Sequence, residues 1–189
     1  MPPIDRDMTD EEIGFYDLAL RLLNVAEDSF GPKITPVPFT KVLIGDKPSI
    51  IYFDNSIGIS VSEKVREEPM QLVYQLAHEV CHLLYPTMDF KSKERPPTIV
   101  LNEGVSTWFS VIQAGQYISH EILLDSIRTR DDEYYNALII YTELWAIDND
   151  IIKKIRKIQP ALNKVTKDDF TTLGLQIPEH ILDAALAEF

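Results

Sequence analysis

The hydrophobic pattern of this chain changes period twice. From Thr9 onward, Ile13, Tyr16, Leu20, Leu23 and Phe30 recur at helical spacing, which predicts a helix to about Ser29 with those residues as its inner stripe. Thr9 followed by Glu12 is a capping-box signature at its start, and Gly31-Pro32 ends it. Between 33 and 62 the pattern becomes short runs rich in Ile, Val, Phe and Tyr: Phe39 to Ile44, Ser49 to Phe53 and Ile57 to Val61. Gly45-Asp46-Lys47-Pro48 and Asp54-Asn55-Ser56 break them, so three short strands are expected. Helical periodicity then returns. Pro69 suits the first turn of a helix that Pro86 stops. More helices are predicted at about Thr98 to Gln113, Glu121 to Arg128, Asp131 to Ile147 and Asp150 to Ile158. Thr166 reads as the cap of a short helix, and Pro178 as the start of a last one ending in Leu182, Ala185 and Leu186. The expected fold is therefore α+β: a small N-terminal sheet packed beside the helix that follows it, then a mainly helical C-terminal part. We expect a single domain over 1–189, with an N-terminal lobe to 97 and a helical part from 98.

One stretch stands out against this pattern. The helix after Pro69 is apolar almost throughout, with Leu72, Val73, Leu76, Ala77, Val80, Leu83 and Leu84, yet it carries His78, Glu79 and His82. These form His-Glu-x-x-His. Residues four apart on a helix share a face, so His78 and His82 can direct their imidazoles at one ion. Glu79, about 100° further round, is placed to reach a water on that ion rather than to ligate it. The pattern is that of zinc hydrolases, in which the glutamate is general base. Two histidines and a glutamate on a helix otherwise fit for a core need partners, and a metal supplies them. A site of this kind takes a third protein ligand and leaves a fourth position open.

The third ligand is suggested by Leu101-Asn102-Glu103-Gly104-Val105-Ser106-Thr107-Trp108. His-Glu-x-x-His followed at this distance by Asn-Glu-Gly resembles the gluzincin metallopeptidases, and this string is similar to the Leu-Asn-Glu-Gly segment of the M1 aminopeptidases. The resemblance covers roughly residues 50 to 147. It implies a zincin-like domain, Zn²⁺ as cofactor, Glu103 as third ligand and a peptide or protein as substrate. Glycine at 104 would let the Glu103 helix approach the His helix closely. The resemblance also implies a tyrosine that donates to the oxyanion. Aligning Tyr-x-x-Gly-Ala on Tyr134 to Leu138 puts Tyr134 in that role, with Tyr135 and His120 as alternatives. An edge strand lining the cleft is implied too, and Ile57 to Val61, nearest the His helix in sequence, is the candidate. Asn102, Thr107 and Glu143 are candidates to support the histidines. One feature of the M1 group is missing, the upstream Gly-x-Met-Glu-Asn motif that recognises a free N-terminus. The expectation is thus an endopeptidase or a dedicated processing enzyme rather than an aminopeptidase. The rival is a peptide-binding or regulatory module that keeps a peptidase-like zinc site without turnover.

Composition narrows this further. The 189 residues are 45% hydrophobic, ample for a core. A formal net charge of −12 disfavours nucleic acid and anionic membrane as partners. Residues 5 to 28 hold eight acids and two arginines, net −6, and read as a solvated helix face. Lys153, Lys154, Arg156 and Lys157, set between Ile151, Ile152, Ile155 and Ile158, read likewise. Residues 86 to 97, with three prolines and three cations, read as a linker between the ligand helices. Cys81 is the single cysteine and reads as a small core residue. Met1 to Asp7 lacks the basic start and apolar run of a signal peptide, and no stretch approaches about 20 apolar residues. A cytoplasmic protein with no membrane segment is expected.

Overall fold

The structure, a computed structural model, describes residues 6–85 and 97–189. The linker at 86 to 96 lies outside the described residues. Among those described, the chain is α+β, with three strands and eight α-helices. They are α1 (Asp10–Phe30), β1 (Phe39–Gly45), β2 (Ser49–Tyr52), β3 (Ile57–Ser62), α2 (Pro69–Leu84), α3 (Val100–Ala114), α4 (His120–Arg130), α5 (Asp132–Ile147), α6 (Ile151–Ile158), α7 (Lys167–Thr172) and α8 (Glu179–Leu186). Two 3₁₀ turns, Glu63–Arg66 and Leu162–Lys164, were not signalled by the sequence pattern. No helix among the described residues is long and apolar enough to cross a membrane.

The sheet has the order β1-β3-β2. β3 runs parallel to β1 and antiparallel to β2, with Ile59 paired to Val42 on one side and Ile50 on the other. Every residue of β3 is buried. The expectation that Ile57 to Val61 forms an edge is therefore corrected. Burial on both faces, with only the small Gly58, Ser60 and Ser62 between the apolar residues, marks a central strand, and β1 and β2 are the outer ones. One hydrophobic core runs from α1, β1 and β3 through α2 and α3 to α5, α6, α7 and α8.

α1 begins with the predicted capping box and ends at Gly31, whose φ of 94° suits glycine. Its buried face is Glu12, Ala19, Leu22, Leu23, Ala26 and Phe30, and Ile13, placed on the inner stripe from sequence, is 45% exposed. The stripe is rotated because Glu12 turns inward. Its carboxylate accepts from Arg6 at 2.6 and 2.7 Å, from the Thr9 N–H and from the Ile44 N–H of β1. An acid near the start of the helix thus fastens the sheet to it. Burial opposes ionisation, but the hydrogen bonds win and hold the carboxyl down to about 2. A depressed carboxyl stabilises the fold above its unfolded pKa and ceases to do so as pH falls from about 4.5 to about 2. Arg6 is 42% exposed, so solvent screens part of that gain. We expect Glu12→Gln to destabilise the neutral protein by on the order of 2 kcal/mol and to flatten the acid limb of a urea-midpoint titration below pH 5. An acid limb as steep as in the wild-type protein would refute this account.

α6 departs from expectation in another way. Ile151, Ile152 and Ile155 enter the core, Lys153 donates to the Asp28 carbonyl and Lys154 pairs with Asp148. Arg156, however, is buried, with five donor contacts to backbone carbonyls. The segment is not simply a solvated basic face.

Candidate metal centre

The His helix is anchored near its middle and at its C-terminal end. Gln75 bonds the end of β3 twice, accepting from the Ser62 N–H at 2.8 Å and donating to its hydroxyl at 2.9 Å. At the C-terminal end the carbonyls of Leu83 and Leu84 lack intrahelical partners. They accept from the Thr35 hydroxyl at 2.7 Å, the Ile34 N–H at 3.0 Å and Arg156 Nη2 at 3.1 Å. The histidines thus lie on a helix whose axial and rotational positions are fixed from outside.

α3 brings Glu103 to them. Glu103 Oε2 lies 3.1 Å from His78 Nε2 and 3.5 Å from His82 Nε2. Donors about 2.05 Å from a tetrahedral ion lie about 3.3 Å apart, so these spacings suit a single ion. The ligand atoms of all three residues lie within 4.8 Å of one another. The residues are buried or nearly so, and the group can hold a metal ion. The donor set of two imidazoles and a carboxylate is one that leaves a coordination position open.

Support behind the group is formed for Glu103 and incomplete for His82. Thr98 donates its hydroxyl to Glu103 Oε1 at 3.1 Å, which leaves Oε2 for the histidines. Sequence reasoning missed Thr98, and its one signal is a hydroxyl residue just before the helix that carries the ligand. Asn102 stands beside His82 and favours its protonated form. Yet His82 Nδ1 and both polar atoms of the Asn102 amide are buried without a well-formed hydrogen bond. They are positioned to support one another once the imidazole is drawn to an ion. Thr107 is buried with its hydroxyl unpaired, and Glu143 is exposed on α5 and supports nothing here.

Electrostatics within the group follow from burial and proximity. Burial alone would lower His82, but the Glu103 carboxylate, with help from Glu79 and Asn102, raises it to about 9. Burial would raise Glu103, but His82 and His78 overcome it and hold that carboxyl well below the usual range. For Glu79 burial prevails and pushes the carboxyl up, against the pull of the two histidines. A carboxyl held up by burial beside the raised His82 is suited to taking and giving a proton.

A cleft with a cavity of 470 Å³ opens onto the group. His78, Glu79 and Tyr134 line it, along with Met70, Tyr74 and, from α4, Leu123 and Ile127. Tyr134 comes from the first turn of α5, its ring centroid 5.5 Å from that of His78 at 72°. Burial, then the negative charges of Glu103, Glu79 and Asp131, push its phenol pKa up, so it keeps its proton. Tyr135 lines a separate groove against α4. His120 is exposed against Gly115, at the opposite end of α3 from Glu103. Of the three candidates, only Tyr134 lines the cleft beside the histidines.

Gly104 explains the placement of Tyr134, though not as expected. A Cβ at 104 would sit 2.4 Å from the carbonyl oxygen of Ala137 and 3.0 Å from Tyr141 Cβ. The close approach is of α3 to α5, not to the His helix. Glycine at 104 facing alanine at 137 lets the backbones touch, and Tyr134, one turn before Ala137, is thereby brought beside Glu103's neighbours. No protein-family model, curated protein or solved structure matches this chain.

Proposed function

We propose that the protein is a zinc-dependent peptidase with a zincin-like domain of the gluzincin kind. The observation that carries this reading is the convergence of His78, His82 and Glu103 within 4.8 Å, with Glu79 and Tyr134 facing the same cleft. Two imidazoles and a carboxylate favour zinc among the divalent ions used by hydrolases. When bound there, the ion acidifies water and polarises a carbonyl.

The rest is done by the chain. Glu79 takes the proton of the attacking water and returns it to the leaving nitrogen. Tyr134 donates its hydroxyl to the oxygen on which charge develops. Substrate lies extended along the cleft. β2 is the outer strand whose preceding residues Lys47 and Pro48 line it, which favours β2 over β3 as the strand that pairs with substrate backbone. Met70, Leu123 and Ile127 seat an apolar side chain. Endopeptidase or dedicated processing activity fits better than removal of N-terminal residues, since the recognition motif for a free amine is absent.

Glu79→Gln tests the reading. The variant should retain its zinc and fold, and cleave a random peptide library about a thousandfold more slowly than the zinc-loaded wild-type chain. Equal cleavage by both would remove Glu79 from the reaction. Zinc binding with no cleavage by the wild-type chain would favour a peptide-binding module instead.

A further inference from the structure

Tyr134 sits where a helix is least secure. It lies in the first turn of α5, whose backbone N–H groups have no intrahelical acceptors, and Asp131 supplies no side-chain cap. Its ring nonetheless packs against the cluster of Val111, Ile127 and Leu138 and against two other rings. One neighbour is His78. The other is Phe189, whose ring centroid lies 4.9 Å away at 58°. The His78 and His82 rings are themselves 4.9 Å apart, so four rings form a chain of contacts from Phe189 to the metal ligands. Tilted and edge-on arrangements at these separations are attractive ones for aromatic pairs.

Phe189 is itself fixed. It follows α8, and its N–H donates to the Thr98 carbonyl at 3.0 Å. The Val100 N–H donates to the Ala187 carbonyl at 3.0 Å, and Ile99 bridges Glu188 in antiparallel fashion. The strand partner of Phe189 is thus the same short stretch whose Thr98 hydroxyl holds Glu103. One pairing registers the third ligand and the wall behind Tyr134 together.

We propose that Phe189 is a positioning residue: its ring, held by the pairing of Ala187–Phe189 with Thr98–Val100, packs against Tyr134, as His78 does, and keeps the phenol hydroxyl directed into the cleft. This rests on the reading of Tyr134 as donor to the developing oxyanion. Without the wall the ring swings away from His78, substrate still binds, and the donor is misplaced at the moment of reaction.

The test uses the full chain. NMR of the metal-free protein with labelled tyrosine, assigned with Tyr134→Phe, reads the NOE between the Tyr134 ring and the His78 ring. Zinc content and the kinetics of an internally quenched peptide drawn from a random library are then measured on the zinc-loaded protein. Phe189→Ala should lose the NOE, keep its zinc, and lower kcat about tenfold or more with KM within about twofold. Phe189→Leu, which restores bulk, should regain the NOE and most of kcat. A persistent NOE in Phe189→Ala overturns the proposal. So does a loss of zinc in step with activity, which would make the residue merely structural, and so does failure of leucine to rescue. If Phe189→Ala does not fold, Phe189→Val gives the same readings. If the wild-type chain cleaves nothing, the peptidase reading falls, while the NOE still decides what Phe189 does.

Discussion

Glu103→Ala should come off a metal-free column unable to hold the zinc that the wild-type chain retains. The physical case is one of ligand count. Two histidines on one helix turn offer two donors, and α3 supplies the third through a carboxylate already spaced 3.1 and 3.5 Å from them. Removing a group that merely supports a ligand weakens a metal site about tenfold to a hundredfold, so removing the ligand should exceed a hundredfold. Thr98→Ala gives the comparison: it frees Glu103 Oε1 without deleting a donor and should fall in the smaller range. The pH dependence has a definite sign. His82 is raised to about 9 in the metal-free chain, so at neutral pH it carries a proton that an arriving ion displaces. Zinc affinity should therefore rise with pH through neutrality and level off above about 9, with proton release seen by calorimetry in buffers of different ionisation heat. An affinity for zinc in Glu103→Ala equal to that of the wild-type chain would end the case for this centre.

What the sequence made legible follows from range. His78 and His82 come together because a helix has a fixed angle per residue, so their spacing alone gives their geometry. The three strands were legible because β-branched and aromatic runs were punctuated by turn residues, and the capping box of α1 because its partners lie three residues apart. Order within the sheet was not. Ile57 to Val61 follows β2 in sequence yet inserts between β1 and β2, and nearness to the His helix along the chain did not make it an edge. Gly104 announced a close contact but not with which helix, because a glycine marks space and carries no address. Phe189 and Arg156 matter through partners far off in sequence, and no local pattern contains that information, whereas Thr98 acts five residues away and leaves only a hydroxyl ahead of a helix as its signal. Arg156 was the most misleading. Its neighbours Lys153, Lys154 and Lys157 make it look like one more surface cation.

Arg156→Ala should be among the most destabilising single substitutions in the described part of the chain. The side chain is 6% exposed, and its guanidinium gathers a set of carbonyls that no local donor satisfies. Nη1 donates to Phe30 and Gly31 at 2.8 Å, Nη2 to Pro32 at 2.7 Å and Leu84 at 3.1 Å, and Nε to Pro160 at 3.2 Å. The cation also lies over the Tyr85 ring, 5.1 Å from its centroid. Burial pulls its pKa down, but a guanidinium starts so high that it stays charged at any pH the fold survives. Truncation leaves these carbonyls facing a hole, and breaking a buried charged network of this kind costs about 3–5 kcal/mol. In a domain of this size that lowers Tm by about 10 °C. Arg156→Lys should recover only part of it, because an ammonium cannot span the fork from the end of α1 to the end of α2. The damage should also reach the metal centre. Leu84 is two residues beyond His82, and its carbonyl would keep only the Ile34 N–H as donor, so the last turn of α2 is loosened close to the ligand itself. Zinc affinity measured well below the melting transition should therefore drop in Arg156→Ala, although residue 156 donates no atom to the site. A variant that melts early but binds zinc as tightly as the wild-type chain would separate the two ends of this argument. It would leave Arg156 as a clamp on α1 alone.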